Sequence, residues 1–230
     1  MLDIKRIKAI SLDLDDTLWP IWPTMERAEK KLHDWLSEHA PMTAAMFSSA
    51  ATLRDLRNQV LISRPEFKND LSAVRRESIR LALYRAKDNP LLAEAAYEVF
   101  FAARQQVDLY ADALPALEYL SSRYPLVSLS NGNADLVRTG VSRFFRAGIS
   151  AREFGKGKPD PSIFHAAAGA VEVQPAQVLH VGDDVMMDVL GALNADMQAV
   201  WVNRSDHPWP HAQKSPATVA NLMQLCDLLR

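Results

Sequence analysis

The sequence predicts an α/β fold in which helices cover both faces of a parallel sheet and a helical bundle is inserted after the first strand. Four short apolar runs of strand length alternate with helical segments, the pattern of a parallel sheet that is buried on both faces. The stretch from 24 to 106 shows helical spacing throughout. All eight glycines lie between Gly132 and Gly191, so only the second half has the residue type that sharp turns favour. The two parts are therefore expected to be built differently.

The predicted core domain comprises residues 1–19 and 107–230. Its strands are the four apolar runs at 7–13, 126–130, 178–181 and 199–202. Amphipathic spacing predicts helices between and after them, over 112–123, 133–141, 161–171, 184–195 and 216–229.

The inserted domain is predicted over residues 20–106. Apolar stripes run along 25–39, 46–60, 71–83 and 92–103, and the first three end near Pro41, Pro65 and Pro90. Four amphipathic helices with short connections are typical of a small helical bundle.

The composition excludes several classes of protein. With 48% hydrophobic and 23% charged residues, the chain has an ordinary soluble globular mixture. A net charge of −2 without a basic stripe argues against a nucleic-acid partner. Residues 1–10 contain no long apolar run, so neither a signal peptide nor a membrane partner is expected. The single cysteine, Cys226, is predicted to be a core residue of a cytoplasmic protein.

Polar residues follow the predicted strands where ligands bind in sheets of this type. They are Asp13, Asp15 and Thr17 after the first strand, Ser130, Asn131 and Gly132 after the second, and Asp183, Asp184 and Asp188 after the third, with Lys158 before a helix. Each segment alone is typical of caps and turns. Together, however, the aspartates would crowd several carboxylates that need a compensating cation. Oxygen ligands without nearby His or Cys favour Mg²⁺, and the histidines lack the spacing of a zinc site.

The spacing of Asp13 and Asp15 indicates a chemistry. In extended chain both side chains point the same way, so one can attack phosphorus while the other donates a proton to the leaving oxygen. Lys158 can neutralise developing charge. Candidate ligands of the phosphoryl oxygens are Ser130, Asn131 and Gly132.

The order of these motifs resembles the haloacid dehalogenase superfamily. The resemblance runs from DLDDTLW through SNGN and KPDPSIF to HVGDDVMMDVLGA and covers residues 1–19 and 107–230. It implies a Rossmann-like sheet with a helical cap inserted directly after the first motif.

The resemblance also implies a role for each motif residue. Asp13 is the nucleophile that forms an aspartyl-phosphate, Asp15 is the general acid and base, and Lys158 is the stabilising cation. Mg²⁺ is held by Asp13, Asp183 and the carbonyl oxygen of Asp15. Ser130 binds phosphate together with Asn131 and Gly132, and Thr17 supports the loop at the phosphate site. Asp188 orients Lys158 and the waters bound to the metal. Asp184 either contacts metal-bound water or begins a helix.

Three other functions are compatible with a sheet that carries these residues. True 2-haloacid dehalogenases of the superfamily attack carbon without a metal and lack the second aspartate of the pair, which this chain keeps as Asp15. A receiver-like phospho-acceptor module is disfavoured by the position of the nucleophile and by the large insertion. A scaffold that binds phosphate esters without hydrolysing them is disfavoured because no motif residue is missing.

The expected substrate is a small phosphate monoester. The residues of the first and last motifs look most like those of a bacterial subgroup that acts on flavin mononucleotide and on the phosphorylated ribityl-aminouracil precursor of riboflavin. A phosphoglycolate or sugar-phosphate phosphatase is the second choice.

Trp19 and Trp22 are expected to pack the domain junction or to stack on a planar substrate. Five arginines are interpreted as a solvated helix face or as contacts to an anionic substrate, namely Arg54, Arg57, Arg75, Arg76 and Arg80. A monomer or a homodimer is expected.

Overall fold

The structure is a computed structural model that describes residues 2–212 and 215–230. The chain divides into two compact units. The core unit comprises Met1–Pro20 and Asp108–Arg230, and the helical unit comprises Ile21–Val107.

The helical unit contains five α-helices. They are α1 (Ile21–His39), α2 (Pro41–Met46), α3 (Ala50–Ser63), α4 (Leu71–Arg85) and α5 (Ala93–Arg104). The side chains of Ser49 and Asp70 cap α3 and α4 by accepting a backbone N–H from the first turn. The short helix α2 was not predicted, because Pro41 begins a helix at its first turn as well as ending the stripe before it.

Apolar stripes at helical spacing form the interior of this unit. Three apolar residues of α1, namely Ala28, Leu32 and Leu36, are buried, as the predicted stripe requires. They belong to one cluster with Ile79, Leu83, Ala96, Tyr97 and Phe100 from α4 and α5. The bundle therefore has a hydrophobic core of its own.

One arginine of this unit departs from the prediction of a solvated face. Arg75 is buried, donates to Glu29 Oε1 at 2.7 Å, and stacks over the Phe100 ring at 4.0 Å. Burial lowers the pKa of Arg75 to about 10, although the charge of Glu29 opposes that effect. Arg57 donates to the same glutamate oxygen at 2.9 Å. Arg75 is thus part of the bundle interior, where a carboxylate and an aromatic ring replace water.

The core unit is built on a six-stranded parallel sheet. Its strands are β1 (Ala9–Leu12), β2 (Leu126–Ser130), β3 (Ala147–Ser150), β4 (Val178–Gly182), β5 (Gln198–Val202) and β6 (Ala217–Val219). They are arranged in the order β3-β2-β1-β4-β5-β6, and every neighbouring pair is parallel. The α/β, doubly wound fold class is therefore confirmed. The strand order changes direction between β1 and β4, and ligands bind at the carboxyl end of such a switch point.

Helices surround the fully buried strands β1, β2 and β4. They are α6 (Ala113–Ser121), α7 (Ala151–Phe154), α8 (Pro161–Gly169), the π-helix Val185–Leu190, α9 (Gly191–Asn194) and α10 (Leu222–Leu228). Cys226 lies buried in α10 with a free thiol, which confirms its predicted core position. Within the described ranges, no helix has the length and apolar character that a membrane crossing requires.

Two predictions for this unit are wrong at the local level. Residues 133–141 form turns rather than a helix, and Gly140 within this segment adopts a left-handed φ of 79°, which interrupts a helix. Residues 216–229 contain β6 as well as α10. Both missed strands, β3 and β6, lie at the edges of the sheet and are only partly buried, so they lack the apolar run that marks a buried strand.

Candidate active site

A buried lysine joins two buried carboxylates at the carboxyl end of the sheet. Lys158 Nζ donates to Asp13, the residue after β1, and to Asp188 Oδ1 at 2.6 Å. The side chains of Lys158 and Asp188 are only 3% and 2% exposed, and that of Asp13 is 11% exposed. Burial by itself would lower the pKa of Lys158, but the two carboxylates raise that pKa above its usual range. Lys158 is therefore a fixed positive charge beside Asp13.

Three carboxylates lie together here, and two of them contact Lys158. Asp13, Asp183 and Asp188 each offer an oxygen, and these oxygens lie within 4.8 Å of one another. Burial raises the pKa of Asp13 well above its usual value, with Lys158 opposing and the other two aspartates adding to the increase. Burial and the charges of Asp188 and Asp16 raise the pKa of Asp183 to about 7. One lysine does not balance this cluster, so a further cation would favour its ionised form.

The turn after β1 is held by its own side chains. Trp19 Nε1 donates to Asp15 Oδ1 at 2.7 Å, and the backbone N–H of Asp16 donates to the Trp19 carbonyl at 2.7 Å. Asp16 adopts a positive φ of 58°, which Asp tolerates better than most residues. Thr17 Oγ1 donates to Asp183 Oδ1 at 3.2 Å, so this turn also contacts the chain after β4. Asp15 thus occupies the turn itself and is not one of the three clustered carboxylates.

The turn after β2 holds the lysine. Asn131 Nδ2 donates to the Lys158 carbonyl at 2.9 Å, and Asn131 Oδ1 accepts the Lys158 N–H at 2.7 Å. Ser130 Oγ accepts the N–H of Gly132 at 2.9 Å. Sequence reasoning assigned Asn131 to the phosphoryl oxygens, whereas its amide here fixes the backbone of Lys158.

The π-helix brings Asp188 back toward the strand end. Asp184 Oδ1 accepts the N–H groups of Met186 and Met187, so Asp184 begins this helix. Asp188 Oδ2 accepts the N–H of Asp184 at 3.0 Å, while its other oxygen binds Lys158. A wide helical turn directly after the strand therefore folds Asp188 onto the site.

Sequence reasoning missed two buried polar residues, Ser11 and His180. They are register partners on β1 and β4, and Ser11 Oγ lies 2.8 Å from His180 Nδ1. His180 Nε2 lies 3.2 Å from Asp188 Oδ1, and Phe164 packs edge-on against the imidazole. Burial lowers the pKa of His180, which favours the neutral ring. A polar residue inside each of two apolar strands was the feature that could have revealed this pair.

Comparison with known proteins assigns this chain to a protein family. The family model of haloacid dehalogenase-like hydrolases matches residues 7–196. The chain is 31% identical over 201 residues to 5-amino-6-(5-phospho-D-ribitylamino)uracil phosphatase YigB of Escherichia coli (strain K12), covering 86% of this chain and 84% of that protein. It is 27% identical over 248 residues to N-acylneuraminate-9-phosphatase of Mus musculus, covering 100% and 96%.

A solved structure is similar over nearly the whole chain. It is described as a 2-haloacid dehalogenase from Pseudomonas syringae pv. Tomato DC3000, and it is 36% identical with a TM-score of 0.91. The superposition covers 97% of this chain and 98% of that one. Family match, relatives and fold agree, and the chain belongs to the haloacid dehalogenase-like hydrolases, in the branch whose curated relatives are phosphatases.

Proposed function

We propose that this protein is a Mg²⁺-dependent phosphatase that passes the phosphoryl group of a small phosphate monoester through a covalent intermediate on Asp13. The observation that carries the proposal is the contact of Asp13 with Lys158 inside a cluster of three carboxylates. A carboxylate nucleophile is an established route for phosphoryl transfer.

The donor set suits a hard divalent cation. Three carboxylate oxygens lie within 4.8 Å of one another, and oxygen ligands are those that Mg²⁺ prefers. We assign Asp13, Asp183 and the carbonyl of Asp15 to the ion. When bound, Mg²⁺ neutralises the carboxylates and the charge of the phosphoryl oxygens.

The reaction takes place in two steps. In the first, an oxygen of Asp13 bonds to phosphorus as the bond to the leaving oxygen breaks, and Asp15 gives its proton to that oxygen. In the second, Asp15 takes a proton from a water molecule that attacks phosphorus, which releases phosphate and restores Asp13. Proton transfer of this kind contributes about 10²–10⁴-fold to the rate.

The neighbouring residues bind and orient the substrate. Lys158 contacts the carboxylates of Asp13 and Asp188, and its positive charge therefore balances the negative charge beside Asp13. We assign Ser130 and the backbone of Gly132 to the phosphoryl oxygens, and Asn131 to holding Lys158 in place. Thr17, bonded to Asp183, supports the turn that carries Asp15.

The helical unit is proposed to be the cap that selects the substrate. The similarity to the E. coli phosphatase supports a phosphorylated ribityl-aminouracil or flavin mononucleotide, with phosphoglycolate or a sugar phosphate as second choice. Trp22 is 66% exposed on this unit and offers a ring face to a planar base, whereas Trp19 is buried in the core unit. The buried free thiol of Cys226 is in keeping with the reducing cytoplasm, where we place the protein.

Dehalogenation is the competing reaction, because the similar solved structure carries that description. Attack on the carbon of a haloacid needs neither a proton donor for an alkoxide leaving group nor a cation among clustered carboxylates. This chain has Asp15 in the turn after β1 and Asp183 beside Asp13. These two aspartates favour phosphate esters.

The experiment that tests the proposal measures product release from a matched panel. The purified protein is given flavin mononucleotide, phosphorylated ribityl-aminouracil, phosphoglycolate, p-nitrophenyl phosphate and 2-chloropropionate, and phosphate or chloride is measured. We expect phosphate release that stops with EDTA, returns with Mg²⁺, and gives the highest kcat/KM for one of the first two compounds. Chloride release without phosphate release would replace the proposal by dehalogenation, and a single turnover per chain would indicate a phospho-acceptor instead.

A further inference from the structure

Arg204, in the turn after β5, contacts the backbone of the turn that carries Asp15. Its Nη2 donates to the Thr17 carbonyl at 2.8 Å. The same guanidinium forms a bidentate pair with Asp112, with both nitrogen–oxygen distances at 3.0 Å. The side chains of Arg204 and Asp112 are 17% and 15% exposed, so this pair is largely shielded from water. A planar guanidinium with several fixed donors is well suited to such a triple contact.

The partners of Arg204 are themselves fixed. Asp112 Oδ2 also accepts the N–H of Leu222 at the start of α10, at 2.7 Å. The guanidinium carbon lies 3.8 Å from the centre of the Tyr110 ring. The backbone N–H of Tyr110 in turn donates to the Leu18 carbonyl at 2.9 Å. Two consecutive carbonyls, those of Thr17 and Leu18, are therefore held by two residues that stack on each other.

The held segment leads directly to the acidic cluster. The carbonyl of Thr17 is bound by Arg204, and the hydroxyl of the same residue donates to Asp183 Oδ1. A shift of the Thr17 backbone would move that hydroxyl away from Asp183. It would also disturb Asp15, which bonds to Trp19 in the same turn.

We infer that Arg204 is a positioning residue, which acts through the Thr17 backbone to fix the turn of Asp15 and the hydrogen bond on Asp183. The inference about metal binding rests on the proposed Mg²⁺ site, whereas the inference about the turn does not. Loss of a residue that orients a metal ligand typically lowers metal affinity about 10–100-fold.

The alternative is that Arg204 only connects Asp112 and α10 to the fold. That role would lower stability but leave the turn and the metal site of the folded protein unchanged. The two roles therefore differ in measurements made below the unfolding temperature of each variant.

The test compares Arg204→Met and Arg204→Lys with a matched control, Arg123→Met. Arg123 also stacks over a tyrosine, 3.7 Å from the ring of Tyr119, and donates to a backbone carbonyl, but it lies in the exposed turn after α6. Hydrogen–deuterium exchange of the metal-free protein reports on residues 14–19. Calorimetric titration with MgCl₂ reports on metal affinity.

We expect Arg204→Met to raise the exchange rate at residues 14–19 and to weaken Mg²⁺ binding about 10–100-fold. Arg204→Lys should give exchange rates and Mg²⁺ affinities between those of this variant and the wild type, since one ammonium group cannot reproduce the paired hydrogen bonds of a guanidinium. Arg123→Met should change neither measurement. Thr17→Val removes only the hydroxyl, and combining it with Arg204→Met should weaken Mg²⁺ binding less than the sum of the single effects.

Unchanged exchange at residues 14–19 in Arg204→Met would overturn the inference, whatever the metal data show. Faster exchange with unchanged Mg²⁺ affinity would overturn the link to Asp183. If the wild type itself binds no Mg²⁺, the proposed metal site fails, and the exchange experiment still decides the role of Arg204.

Discussion

Gly182 lies directly against Asp188. A Cβ atom added at residue 182 would come within 2.6 Å of the Asp188 Cβ, which is closer than side chains approach each other. The missing side chain of the last β4 residue is therefore what allows Asp188 to fold back onto Lys158. This close approach makes a substitution at Gly182 a direct test of the position of Asp188.

We expect Gly182→Ala to lower kcat at least about tenfold and to destabilise the protein by about 1–3 kcal/mol, the usual range for overpacking a filled site. Gly169→Ala is the matched control. It lies at the end of α8, where an added Cβ meets nothing within 4 Å, so it should leave kcat unchanged. Steady-state kinetics and urea unfolding measure both effects. Full activity in Gly182→Ala would mean that Asp188 does not need its observed position.

Asp13→Asn is expected to abolish turnover, because a neutral amide cannot accept the phosphoryl group. We expect a loss of at least about 10³-fold in kcat, which is typical of removing a nucleophile. The variant should remain folded, since the amide has nearly the same size and shape. Circular dichroism and phosphate release measure the two properties. Asp227→Asn, at an exposed position of α10, is the control and should behave as the wild type. Activity near that of the control would remove Asp13 from the mechanism.

Asp15→Asn should affect substrates unequally. An alkoxide leaving group needs a proton, whereas p-nitrophenolate leaves without one. We therefore expect a loss of about 10²–10⁴-fold for alkyl phosphates and a much smaller loss for p-nitrophenyl phosphate in the first step. Single-turnover measurements of alcohol release isolate that step. An equal loss for all esters would argue that Asp15 serves only the turn and its Trp19 partner.

His180→Leu is expected to destabilise the protein by about 1–3 kcal/mol, because it leaves the Ser11 hydroxyl and one oxygen of Asp188 buried with a partner removed. Adding Ser11→Ala should recover part of that loss, since it removes one of the two groups left behind. Urea unfolding of the two single variants and the double variant forms the cycle. Strictly additive losses would show that the hydrogen bond between Ser11 and His180 contributes nothing to the free energy of unfolding.

The fold class could be predicted because strands buried on both faces are continuous apolar runs. β2 was located at its observed bounds, and the bounds of β1, β4 and β5 were found to within a few residues. The edge strands β3 and β6 could not be found in this way, since only a buried strand requires such a run. The turns at 133–141 were missed because apolar spacing alone does not show that Gly140 adopts a left-handed φ of 79°, which interrupts a helix.

That carboxylates gather at the strand ends could be predicted, but not all of their connections. Aspartates at strand ends predicted a cluster of Asp13, Asp15, Asp183 and Asp188, and the structure groups all of these except Asp15. The contacts of Asn131 with Lys158, and of Arg204 with Thr17, join segments far apart in sequence. Such hydrogen bonds depend on how loops from different strands meet, which periodicity does not encode.

The pairing of β1 has a consequence for the order in which the chain can assemble. Ile10 has its register partners at Leu126 and Leu179, so neither neighbour of this central strand exists when the ribosome has made only the first half of the chain. The helical unit, whose contacts are local, can become compact during that time. The segment bearing Asp13 must therefore wait for distant strands, and the buried cluster of Asp13, Asp183 and Asp188 forms late in biosynthesis.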